Sequence, residues 1–112
     1  MTEITFIKRN GLYVGFDAIG HAGYAEEGKD IVCSAISALT INTVNSLTDI
    51  NNEDVSVDIK DGDLSVRIKS HKEESSQVLM KSLELGLTGI QDEYGIKYCK
   101  VVYKEENANV KA

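Results

Sequence analysis

Asn10-Gly11 stands between two stretches of alternating apolar residues, "EITFIKR" and "LYVGFDAIG". Both residues tolerate positive φ, which the centre of a two-residue hairpin turn demands. The pair commits this end of the chain to a hairpin, with strands at about Glu3–Arg9 and Leu12–Ile19. "VSVDIKDGDLSVRIK" repeats the device. Val55, Val57 and Ile59 alternate with polar residues, Asp61-Gly62-Asp63 turns, and Leu64, Val66 and Ile68 alternate again. "KYCKVVYK", Lys97–Lys104, is rich in β-favouring residues and predicts a fifth strand.

Two helices fill the gaps. The second is expected to start at "SHKE", with Ser70 as the cap and Glu73 completing a capping box. Leu79, Leu83, Leu87, Ile90 and Tyr94 follow at three- and four-residue spacing, and Gly95 is a natural stop. The first helix, about Ile31–Ile50, carries no charge from Ile31 through Leu47. A surface helix shows a charged face. This one is expected to be covered on more than one side, most simply by a second copy of the chain. A central position within a monomer is the other reading. The order β-β-α-β-β-α-β predicts an α+β, two-layer domain, with a mostly antiparallel sheet packed against two helices. A length of 112 residues fits one domain, 1–112.

Charge and cysteine usage narrow the function. A net charge of −6 argues against non-specific nucleic-acid binding and tolerates a basic partner. "MTEITFIKRN" lacks the basic lead and apolar core of a signal peptide, and no apolar run looks long enough to span a membrane. Two cysteines without secretory context suggest free thiols in a reducing compartment.

The stretch "GHAGYAEEGKDIVCSA", Gly20–Ala35, carries the chemistry. Asp30 is placed to cap the first helix, so Cys33 falls in its first turn. Free amides and the helix dipole stabilise an anion there, and a thiolate is such an anion. The same amides could receive the oxyanion formed when a thiolate attacks a carbonyl. His21 ends the second strand, and imidazole can take and return a proton near neutral pH. A loop rich in glycine, Ala22–Lys29, lets the two meet. It also suggests a gate, with Tyr24 able to cover an apolar cleft. These residues point to a Cys-His dyad for acyl transfer, most simply peptide hydrolysis. A thioesterase or acyltransferase could use the same dyad, and a small buried Cys beside a structural His is the plain alternative. A metal site from His21, Cys33, His71 and Cys99 is disfavoured, because zinc ligands usually come in close pairs. Cys99 reads as packing and His71 as surface. Asp17 and Asn42 are conceivable orienting groups for the imidazole, with nothing to single out either.

"GHAGYAEEGKDIVCSAISAL" resembles the signature of the bacterial ribosomal-processing cysteine proteases: Gly-His-Ala, a variable loop, then Asp-Ile-Val-Cys-small-Ala-hydrophobic-Ser. Gly20-His21-Ala22 supplies the first part and Asp30 through Ser37 the second, without departure. The resemblance implies a cytoplasmic homodimer that needs no cofactor or metal. Such an enzyme removes the short N-terminal extension of large-subunit ribosomal protein twenty-seven, without binding nucleic acid or membrane directly. Carried over, Cys33 is the nucleophile and His21 the base, with Gly20, Asp30 and Ser37 in support. Ser37 lies one helical turn beyond Cys33, on the same face. Family substrates present paired aromatic residues before the cut, so the resemblance also implies an apolar cleft. A dimeric module that binds the ribosomal protein without cutting it is the remaining alternative.

Overall fold

The computed structural model describes residues 1–69 and 74–106. The capping box from Ser70 to Glu73, and with it His71, lies outside the described residues. The elements are β1 (Thr2–Arg9), β2 (Leu12–Ile19), α1 (Ile31–Asn45), a π-helical segment continuing it (Ser46–Ile50), β3 (Val55–Lys60), β4 (Asp63–Ile68), α2 (Glu74–Tyr94) and β5 (Cys99–Glu105). The α+β reading holds. The five-stranded sheet has the order β3-β4-β2-β1-β5. Every neighbouring pair is antiparallel except β1 with β5, which run parallel.

Both hairpin turns use the expected residues at positive φ: Asn10 at 53° with Gly11 at 81°, and Asp61 at 53° with Gly62 at 85°. β1 and β2 slip register at Ile7/Lys8, a bulge that leaves backbone groups in need of partners. The Gln77 side chain supplies them. Its amide donates to the Tyr13 carbonyl at 2.8 Å, and its oxygen accepts the Tyr13 N–H at 2.7 Å. That clasp ties α2 to the sheet.

The core lies between one sheet face and the helices. Ile4, Phe6, Phe16 and Val66 of the strands meet Val32, Ile36 and Leu47, and Met80, Leu83 and Leu87 of α2. The expected α2 stripe is partly right. Leu83 and Leu87 are buried, whereas Leu79, Ile90 and Tyr94 are half-buried, and Ser76, Gln77 and Met80 join the buried face. Gly86 lets α1 approach, since a Cβ there would stand 2.9 Å from Leu39 Cδ1. Gly95, at φ 104°, ends α2 and donates to Gln91 O at 2.8 Å.

α1 buries Val32, Ile36, Thr40 and Thr43. Its opposite face, with Ser37, Ala38, Ile41, Asn42 and Asn45, is exposed and uncharged. One expectation needs correction. The continuous helical run Ile31–Ile50 has 20 residues and mean hydropathy 1.3, enough by length and composition to cross a bilayer. The sequence hides this because Ser, Thr and Asn interrupt the apolar residues. Here the run packs into the core through Val32, Ile36 and Leu47.

Candidate active site

The site grows from the first turn of α1. Asp30, only 8% exposed, caps the helix from extended backbone, φ −87° and ψ 98°. One carboxylate oxygen accepts the Cys33 amide at 2.9 Å, and the other accepts the Tyr24 amide at 2.9 Å. The Cys33 amide, aided by those of Tyr24 and its neighbours, holds the Asp30 carboxyl below its ordinary range. A single side chain thus fixes both the helix end and the loop before it. The cap also changes one expectation. The Cys33 amide is engaged by the carboxylate, and the Ser34 amide donates to Asp30 O at 3.1 Å. These two amides are not free to receive an oxyanion. The helix dipole still acts at this end.

Cys33 is partly exposed, at the meeting of two cavities. The larger, about 660 Å³, runs between the loop and α1 and is bordered by His21, Gly23, Gly28, Asp30, Cys33 and Ser37. The smaller, about 270 Å³, lies between α1 and the β3–β4 hairpin, with Ile36, Ile41, Ile59 and Leu64 in its walls. His21, Cys33 and Ser37 border both. The structure therefore brings together the histidine, the cysteine and the serine that the sequence singled out. Gly20 borders the smaller cavity and Asp30 the larger.

Gly20 is required by backbone and by space. Its φ is 92°, and a Cβ there would stand 2.6 Å from the Met1 carbonyl oxygen. Its own carbonyl accepts the Thr2 hydroxyl at 3.3 Å. His21 follows directly and stands exposed over the β3–β4 turn.

The loop between His21 and α1 is anchored where sequence reasoning did not look. Tyr24 packs edge-to-face on Tyr94 and Tyr98, with centroids 5.4 and 5.2 Å apart. It borders neither cavity, which corrects the expectation that it covers the cleft. Nothing in the local sequence signals this, because Tyr94 and Tyr98 flank the far end of α2.

The other candidates separate clearly. Partial burial pushes Asp17 up, but hydrogen bonds from Arg67 at 2.8 Å and Ser65 at 2.7 Å outweigh it and hold the carboxyl below its usual value. Asp17 is thus committed to the sheet, while Asn42 is exposed on α1, and neither borders a cavity. Cys99 is fully buried, and burial pushes its thiol up. It packs, as expected.

Known proteins share this sequence pattern and this fold. The family model of the cysteine protease Prp matches residues 1–100. The ribosomal processing cysteine protease Prp of Staphylococcus aureus is 30% identical over 77 residues, which span 67% of this chain and 73% of that protein. The crystal structure of S. aureus Prp with a covalently linked product peptide superposes with a TM-score of 0.87 at 24% identity, covering 93% of this chain and 100% of that one. A Streptococcus mutans protein of solved structure gives 0.76 at 32% identity, covering 96% and 95%. Matched along residues 1–100, this chain belongs to the Prp family of cysteine proteases.

Proposed function

We propose that this protease removes the short N-terminal extension of large-subunit ribosomal protein twenty-seven, with Cys33 as nucleophile and His21 as general base. The observation that carries the reading is that His21, Cys33 and Ser37 border the same two cavities at the start of α1. His21 takes the thiol proton, and Cys33 Sγ attacks the scissile carbonyl. The Sγ–C bond forms, the C–N bond breaks, and His21 returns the proton to the leaving amine. Water then cleaves the thioester, with His21 as base again. Such proton transfer is worth about 10²–10⁴-fold in rate. Asp30 supports the site by holding Cys33 and Tyr24, and Gly20 by admitting the turn before His21. Ser37, exposed beside Cys33, supports the site by bonding the substrate backbone or by holding His21. The smaller cavity, walled by Ile36, Ile41, Ile59 and Leu64, suits an aromatic side chain of the substrate. Family membership favours an amide bond over a thioester as the target.

The single domain, 1–112, acts in the cytoplasm as a homodimer, in which the uncharged exposed face of α1 meets a second copy. The chemistry balances with protein groups and water alone. The test is to incubate the extended ribosomal protein with this chain and follow mass. Loss of the extension, absent with Cys33→Ser, is expected; an uncut substrate refutes the assignment. Light scattering across a dilution series should give twice the chain mass. A clean monomer at micromolar concentration removes the dimer.

A further inference from the structure

We propose that Asp63, at the tip of the β3–β4 hairpin, is the positioning residue for His21, acting through the Gly20 amide. This rests on the reading of His21 as the general base. The turn itself needs only Asp61 and Gly62, which hold the two positive φ angles. Asp63 already belongs to β4, paired with Lys60, so the turn makes no claim on its carboxylate. That carboxylate reaches across to β2 and accepts the Gly20 N–H at 2.9 Å. Among the described residues, no other side chain bonds that amide.

The residue before His21 is thus held on both of its polar groups: the N–H by Asp63, the carbonyl by Thr2 Oγ1 at 3.3 Å. The Met1 carbonyl blocks the remaining direction, 2.6 Å from where a Gly20 side chain would begin. The imidazole stands over the same hairpin tip. A Cβ built on Gly62 would stand 3.5 Å from His21 Cε1 and 3.9 Å from Nε2. Gly62 thus lies under the ring, while the next residue ties down the main chain that carries it. "DGD" serves as a turn and as the seat of the histidine.

The bond lies at the surface, so its contribution to folding is small. Its contribution to geometry is not. A displacement of the base by about 1 Å costs up to about a hundredfold in rate. A purely structural contact would show the opposite balance. Loss of the carboxylate should lower kcat with little change in KM or melting temperature. Asparagine keeps an oxygen in the same place and should restore the bond.

The experiment compares the unmodified chain, Asp63→Ala and Asp63→Asn in two assays. The first is cleavage of the extended ribosomal protein. The second is the ¹H–¹³C spectrum of the His21 ring, assigned with His21→Gln. Asp63→Ala is expected to lose about tenfold or more in kcat, with KM nearly constant and the His21 signal shifted or broadened. Asp63→Asn is expected to recover most of both. An unchanged kcat in Asp63→Ala overturns the proposal, and so does an Asn variant as slow as the Ala one. If the unmodified chain cuts nothing, the substrate reading falls separately. The His21 spectrum then judges the hold, and an unchanged signal in Asp63→Ala overturns that too.

Discussion

Gly20→Ala and Gly11→Ala form a matched pair that separates backbone strain from crowding at the site. Both glycines have positive φ, 92° and 81°. An L-residue in that region costs about 1–2 kcal/mol. At Gly11 nothing lies within 4 Å of the added Cβ, so the cost ends there. At Gly20 the Cβ meets the Met1 carbonyl oxygen at 2.6 Å, and the N-terminal end of β1 must retreat. That end is held by Thr2, whose hydroxyl bonds Gly20 O and whose amide donates to Tyr98 O at 3.0 Å. Losing one such bond adds about 1 kcal/mol. Gly20→Ala should therefore cost about 2–3 kcal/mol in all, against a total stability of about 5–15 kcal/mol. The protein still folds, but its melting temperature falls by roughly 10–20 °C. Gly11→Ala should fall by about 5–10 °C. Activity separates them further, because the shift at Gly20 passes directly to His21. Below both transitions, kcat should drop for Gly20→Ala and stay unchanged for Gly11→Ala. Thermal melting followed by circular dichroism, with cleavage measured at low temperature, reads both effects. Equal melting shifts with equal activities would refute the claim that the Met1 contact matters.

Three further outcomes are expected. Cys33→Ser should abolish cleavage while Cys99→Ser keeps it, and iodoacetamide followed by peptide mapping should label Cys33 well before the buried Cys99. Tyr98→Leu should speed amide exchange across residues 22–29 by about three- to tenfold, because an edge-to-face ring pair is worth about 0.5–1.5 kcal/mol; Tyr98→Phe should not, since ring contacts hold Tyr24. Asp17 stays ionised to lower pH folded than unfolded, so its stabilisation is whole above the unfolded value near 3.8 and is lost as pH falls through the lower folded one. Asp17→Asn should flatten that acid limb in urea titrations, and a limb of unchanged steepness would show that the Arg67 pair does not contribute.

What the sequence revealed was mostly local. Asn10-Gly11 and Asp61-Gly62 set φ within their own residues, and both turns formed as read. Asp30 and Cys33 sit three residues apart, so the cap and the first turn followed from spacing. The parallel pairing of β5 with β1 was not legible, because alternation marks a strand without naming its partner. The site was legible to the same extent. His21 and Cys33 stood out by residue type and helix position. Tyr94, Tyr98 and Asp63 reach the site only through tertiary packing, and each had a sufficient local explanation of its own. The α2 face shows the same limit. Gln77 is buried by its clasp on the Tyr13 backbone, which no apolar periodicity can signal.

The strand order also sets a timetable for synthesis. β1 is made first and sits beside β5, which is made last, with Thr2 opposite Cys99. At about 5–20 residues per second, the edge of β1 waits roughly 5–20 seconds for its neighbour. His21 and Cys33 both emerge in the first third of the chain, yet the loop between them leans on Tyr94 and Tyr98. A growing chain therefore carries Cys33 long before it can hold that loop in place. The loop gains its support only once the end of α2 and the residues just before β5 have been made.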